Sequence, residues 1–243
     1  MRTILPINEG WNFEKQGETS RVDLPHCWND VDGQEGADYY RGECVYTRAL
    51  PKTSGITWLE IGAANSVASV SVNGKTVGTH KGGYSLFRFD LTPYLNAGGP
   101  NSVRIAVDNS DFEDVYPSNA DFTFYGGIYR DVNLITGLDE CHFSLKEGLC
   151  GVYAEASVRE KTGILHIEPH IAGDTRAVKA VYTVLDRDGV AIAQREADAG
   201  MEITVEINAP ILWNGLENPY LYTVRAALIR GGSEIDAVQT RIG

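Results

Sequence analysis

The chain has 243 residues, 43% of them hydrophobic, and a formal net charge of −12, which suits one large or two ordinary globular domains. An acidic surface repels phosphate backbones and anionic lipid, so nucleic-acid and membrane-surface partners are disfavoured, and so are strongly anionic substrates unless a local basic pocket overrules the global sign. No apolar run approaches the roughly 20 residues needed to span a bilayer.

The first residues, Met1-Arg2-Thr3-Ile4-Leu5-Pro6, turn polar too soon to be a secretory signal. The expectation is therefore a cytoplasmic protein, or one from which a signal has been removed. Cys27, Cys44, Cys141 and Cys150 show no Cys-x-x-Cys spacing and read as buried reduced thiols, which also favours the cytoplasm.

Residues 1 to about 50 read as irregular. Pro25 and the glycines at 33, 36 and 42 exclude a helix there. His26, held beside Trp28 by a proline turn, reads as a hydrogen-bonded structural residue rather than a catalytic one. A strand begins at Cys44-Val45-Tyr46.

From Thr57 the pattern is plainly β. Leu59 and Ile61 alternate with Trp58 and Glu60, and Ala68, Val70 and Val72 alternate with Ser69 and Ser71, so each strand has one apolar face. Asn73-Gly74 follows at once as a two-residue hairpin turn, because both residues tolerate positive φ. Phe87, Phe89 and Leu91, then Val103, Ile105 and Val107, repeat the device. Regular strands and turns without an amphipathic helix indicate a β-sandwich.

The most informative stretch runs Asp121-Phe122-Thr123-Phe124-Tyr125-Gly126-Gly127-Ile128-Tyr129-Arg130-Asp131-Val132. Its glycine pair permits a sharp bend and a close approach to another surface, and its aromatics offer apolar faces of the kind that stack on sugar rings. Near Gly137 to Glu140 the register breaks, which places a domain boundary there. Beyond it, strands are expected over 164–171, 178–185, 201–207 and 220–228, with a hairpin turn at Asp188-Gly189. About 100 residues of short alternating strands suit an immunoglobulin-like sandwich.

Several of these runs, taken in order, resemble glycoside hydrolase family 2, which includes the β-galactosidases and β-glucuronidases. They are Leu24-Pro25-His26-Cys27-Trp28-Asn29, Tyr40-Arg41-Gly42, Asn73-Gly74, Gly82-Gly83-Tyr84, Phe89-Asp90-Leu91-Thr92, Val107-Asp108-Asn109, Gly127-Ile128-Tyr129-Arg130, and the Pro210–Trp213 and Asn218–Tyr222 segments. The resemblance implies an all-β chain, with a jelly-roll (galactose-binding-like) sandwich over 1–139 and an immunoglobulin-like sandwich over 140–243. A catalytic (β/α)₈ barrel is expected after residue 243.

It also implies that Asp121, six residues before Gly127, reaches the bound sugar, alone or as ligand to a cation. Phe124 and Tyr125 would add apolar area, and Asp38 and Tyr39, on the loop from Asp32 to Tyr40, would line the site. No catalytic residue is expected in this chain. Retaining glycosidases need two carboxyl groups about 5–5.5 Å apart, and in the family both are glutamates on the barrel, which needs roughly 250 residues of its own.

The expected activity is thus that of a parent retaining β-glycosidase, a β-galactosidase as first guess, with this chain inactive alone. A stand-alone carbohydrate-binding module is the alternative, and a structural or adhesive double sandwich a third reading. No cofactor is expected in this chain, with sodium or magnesium as candidates in the intact enzyme. The expected partners are a carbohydrate substrate, the chain's own barrel and a second copy of the intact enzyme, with neither nucleic acid nor membrane.

Two weaker constellations remain. His166, Glu168 and His170 share a strand face that could ligate a metal but read as a solvated polar face. Asp111, Glu113 and Asp114 lack a calcium ligand ladder. Neither a nucleophile elbow nor a phosphate-binding glycine loop is present.

Overall fold

The computed structural model of the protein describes residues 1–30, 39–117, 120–148 and 150–243. Among these residues the structure is all-β, with only two short 3₁₀ turns, Thr92–Tyr94 and Lys146–Gly148. It divides into two compact units: Thr3–Gly137, and Leu138–Gly243 joined by Met1–Arg2. No helix among the described residues is long and apolar enough to cross a membrane.

The first unit is a sandwich. One sheet runs in the order Thr3–Pro6, Val132–Leu138, Ile56–Ile61, Phe87–Asp90. The other runs Glu18–Val22, Trp11–Lys15, Glu43–Leu50, Asn101–Asp108, Val67–Val72, Lys75–Lys81. Leu59, Ile61, Phe87 and Leu134 from the first sheet meet Trp11, Tyr46, Val70 and Ile105 from the second in one core. The predicted alternation is realised, with Ala68, Val70 and Val72 buried and Ser69 and Ser71 turned to the other face. Asn73 and Gly74 sit at φ 51° and 77° and join two paired strands, the left-handed geometry a two-residue hairpin requires.

The segment expected to be irregular, residues 1 to about 50, instead contains the strands Thr3–Pro6, Trp11–Lys15, Glu18–Val22 and His26–Cys27. The signal for them is short. Trp11 and Phe13 are buried while Asn12 and Glu14 are exposed, and Gln16-Gly17, both at positive φ, turns the chain into the next strand. Two inward aromatics suffice because each buries a large apolar area, and the Trp11 indole donates to Ile7 O at 2.7 Å.

The glycine pair sets the position of the aromatic segment. Gly127–Ile128 pairs with His26–Cys27, and Trp28 N donates to Gly126 O at 3.1 Å. A β-carbon on Gly126 would lie 2.0 Å from Cζ2 of Trp28, and one on Gly127, at φ +146°, would lie 2.2 Å from the His26 carbonyl oxygen. Close backbone approach therefore demands glycine at both positions. His26, as expected, is structural: its Nδ1 is 2.8 Å from the Tyr46 hydroxyl, and burial holds its pKa below the ordinary value against the opposing pull of Asp30.

The second unit packs the sheet Val152–Arg159, Thr162–Pro169, Ile203–Asn208 against the sheet Ala191–Asp198, Val178–Leu185, Tyr222–Arg230, Ser233–Ile242. Leu165, Ile167 and Val205 meet Ala180, Tyr182, Val224 and Leu228 in its core. This seven-strand, two-sheet arrangement is the immunoglobulin-like plan. None of the four cysteines forms a disulfide. Cys150 is exposed and Cys27 half-buried, so only Cys44 and Cys141 fit the expectation of buried thiols.

A buried ion pair anchors this unit. The Asp236 carboxylate, fully buried, accepts Arg2 Nε at 3.0 Å, Arg2 Nη2 at 2.9 Å and Phe143 N at 2.8 Å. Arg2 Nη2 also donates to Phe143 O at 2.8 Å. Removing one partner of such a pair strands the other charge, so Asp236→Ala should cost about 3–5 kcal/mol, read as a lower midpoint in urea unfolding of the chain. Gly126→Ala, which must displace the buried Trp28 ring, should cost about 1–3 kcal/mol by overpacking. Gly99→Ala, where the nearest side-chain atom stands 3.5 Å from the added carbon, serves as the permissive control in the same titration.

Candidate functional site

Two buried asparagines hold the aromatic segment from behind. Asn29 Oδ1 accepts Gly126 N at 2.7 Å and Asn109 Nδ2 at 3.1 Å, and Asn29 Nδ2 donates to Tyr40 O at 2.8 Å. Asn109 Nδ2 also donates to Phe124 O at 2.8 Å, while Asn109 Oδ1 accepts Gly42 N at 2.9 Å. A third asparagine, Asn65, donates from Nδ2 to Tyr125 O at 2.6 Å, and its backbone N–H reaches Gly127 O at 3.0 Å. The carbonyls of residues 124–127 are thus fixed one by one, although the segment forms almost no regular strand. Buried polar backbone groups need such partners.

The frame fixes one wall of a cavity of about 480 Å³. Phe122, Thr123, Phe124, Tyr125 and Gly126 line it on one side, and Cys27, Asp30, Asn65, Tyr84 and Tyr129 complete it. The Phe122 and Phe124 rings are 5.3 Å apart. The Arg41 guanidinium lies 4.6 Å from the Phe124 ring centroid, and Arg41 Nε donates to Asn109 O at 2.8 Å. Tyr129 donates its hydroxyl to Gly83 O, and burial raises the pKa of this phenol, so it stays a neutral donor. An aromatic lining with a few fixed polar groups is the composition of a small-molecule pocket.

Of the residues singled out in the sequence, Phe124 and Tyr125 line this cavity. The Tyr39 hydroxyl accepts Phe124 N at 3.3 Å, so Tyr39 supports the wall from behind. Asp121 lies one residue before the lining begins; it is exposed and has no hydrogen bond or ion pair among the described residues. Asp38, and most of the loop from Asp32 to Tyr40, lie outside the described residues.

Sequence reasoning did not single out Asn29, Asn65 or Asn109. Asn29 and Asn109 stand inside runs already noted, and the signal available was a primary amide amid apolar residues, where both a donor and an acceptor must be satisfied. Phe122 and Tyr129 stand in the aromatic stretch and Tyr84 in the Gly82-Gly83-Tyr84 run, whereas Asp30 carries no pattern that marks it as lining before the fold is known.

No group of three or more His, Cys, Asp or Glu side chains that could hold a metal occurs among the described residues. His166 Nε2 stands 3.4 Å from Glu202, and His170 Nε2 3.4 Å from Glu168, both on solvent-exposed faces. Asp114 pairs with Lys81 at 2.5 Å.

Comparison with known proteins agrees along most of the chain. The family model described as "Glycosyl hydrolases family 2, sugar binding domain" matches residues 39–137, and "Glycosyl hydrolases family 2" matches residues 151–243. A β-glucuronidase of Bacteroides fragilis is 35% identical across 100% of this chain and 38% of its own length. A β-galactosidase of Thermoanaerobacter pseudethanolicus is 30% identical over 73% of this chain and 24% of its own length.

The crystal structure of an FMN-binding β-glucuronidase from Faecalibacterium prausnitzii L2-6 superposes with a TM-score of 0.92 at 33% identity, covering 100% of this chain and 39% of that one. The chain therefore spans well under half the length of these relatives. With both halves matched in order and the fold reproduced throughout, the chain belongs to glycoside hydrolase family 2.

Proposed function

We propose that this chain is the non-catalytic double-sandwich portion of a retaining β-glycosidase, with the Asp121–Tyr129 segment forming part of the sugar-site wall. The observation that carries the reading is the preformed aromatic cavity next to an exposed acid with no partner among the described residues. Retention requires two carboxyl groups about 5–5.5 Å apart, whereas among the described residues the cavity lining contains one carboxylate, Asp30. The bond-breaking pair then belongs to a barrel that this chain would adjoin.

The substrate class is a β-glucuronide or a β-galactoside. A galactoside is the first expectation from sequence, but names that contain β-glucuronidase are the more frequent among the relatives, so the glucuronide takes precedence. A hard cation such as sodium or magnesium takes about six oxygen ligands. Asp121 fits as one of them, and the rest would come from other groups around the bound sugar.

Because the cavity is already formed within this chain, a stand-alone carbohydrate-binding module is the second reading. Calorimetry separates the two: affinity of the chain alone for oligosaccharides that matches the barrel-bearing enzyme favours the module, and much weaker affinity favours a wall that works with its barrel.

The isolated chain should release no aryl group from aryl β-glucuronides or β-galactosides, and turnover would overturn the reading. In the enzyme that carries the barrel, Asp121→Ala removes a charge-assisted hydrogen bond of about 1.5–3 kcal/mol, so kcat/KM should fall roughly ten- to a hundredfold. An unchanged kcat/KM rejects Asp121 as a substrate contact.

A further inference from the structure

We infer that the cavity beside the aromatic segment receives an uncharged ring, either a neutral pyranose or an aryl aglycone, and turns away the carboxylate of a uronide. The inference rests on the sugar-site reading above and assigns the part of the substrate that this chain holds.

Among the described residues, the lining holds Asp30 and no Lys, Arg or His. The two nearby cations are engaged elsewhere: Arg41 with Asn109 O and the Phe124 ring, and Arg130 with the carbonyls of Gly62 and Tyr84. Neither lines the cavity.

A second anion seated beside Asp30 would lose water and meet a like charge, with no donor cation in compensation. An uncharged ring meets the reverse conditions. Phe122, Phe124 and Tyr125 offer apolar faces. Tyr84 and Thr123 line the cavity and their hydroxyls make no hydrogen bond among the described residues, so each can donate to and accept from a ring hydroxyl. A uronide would therefore lie with its carboxylate outside this cavity and its uncharged end within.

The test compares matched ligands on the full chain by NMR titration of the aromatic resonances. Methyl β-galactoside and methyl β-galacturonide differ only at C6, in CH₂OH against carboxylate, and the gluco pair repeats the comparison. The neutral member should bind at least about tenfold more tightly, the size expected for one like-charge contact near a protein surface. Asp30→Asn should narrow that ratio. Thr123→Lys, which adds an ammonium to the lining, should raise galacturonide affinity, and it keeps the inference testable should Asp30→Asn fail to fold.

Phenyl β-galactoside and phenyl β-glucuronide identify the ring. Equal binding of these two, with the methyl glycosides silent, assigns the cavity to the aglycone; binding of methyl galactoside assigns it to the sugar. Equal or tighter binding of methyl galacturonide overturns the inference, as does silence from all six ligands. The wall assignment fails separately, through an Asp121→Ala enzyme of unchanged kcat/KM that keeps the same preference for neutral ligands.

Discussion

The site depends on a pair of buried primary amides. Asn29 and Asn109 are 0% and 1% exposed, and between them they bind the backbone at Tyr40, Gly42, Phe124 and Gly126. A buried amide must both donate and accept, and each atom left unpaired costs about 1–3 kcal/mol. The geometry is therefore narrow. If the chain at 124–126 shifts, Asn29 loses Gly126 N and Asn109 loses Phe124 O together. The apolar core is more forgiving, since cores accept volume-conserving swaps at modest cost. The rigidity of the aromatic wall comes from amide pairing rather than from sheet ladders.

Glycine completes the same constraint from the other side. Asn29 can reach Gly126 N only because the chain there lies against Trp28, and Trp28 can occupy its place only because residue 126 has no side chain. Sequence neighbours Trp28 and Asn29 thus touch the same glycine, one by packing and one by hydrogen bond. In the proposed sugar-site role, a wall fixed in this way would leave little ordering entropy to be lost on binding.

Much of this was legible in the sequence. The strands from Thr57 to Val107 declare themselves by alternation, and Asn73-Gly74 can hardly be anything but a tight hairpin. The glycine pair announced a close approach, although not its partner, because Trp28 is nearly a hundred positions away (Gly126 minus Trp28). The N-terminal strands escaped because within Trp11–Lys15 only Trp11 and Phe13 point inward, too few for a periodicity to register. Ala191–Asp198 escaped for a related reason: its residues are nearly all exposed, so no apolar face is written into it. The cavity was the least legible feature. Asp30, Asn65, Tyr84 and Tyr129 converge from separate loops and strands, and only the fold brings them together.

The placement of Asp121 follows from where the amide frame stops. Fixed hydrogen bonds hold the chain from Phe124 to Gly127, and the Tyr125 N–H closes on Thr123 O at 3.0 Å. Asp121 lies just beyond that anchored stretch, with its carboxylate in solvent. A carboxylate held inside the frame would need buried partners of its own and would have no capacity left for a ligand. One held on a free loop would have to be ordered on binding, at a cost of about 1–2 kcal/mol per residue in backbone entropy. In the proposed sugar-site role, an acid two residues from a rigid anchor would keep its hydration until a ligand displaced it, at little ordering cost. The aromatic cavity and the acid can therefore act on different parts of one bound molecule, with apolar ring contact inside the cavity and charge-assisted hydrogen bonding to hydroxyls at its edge.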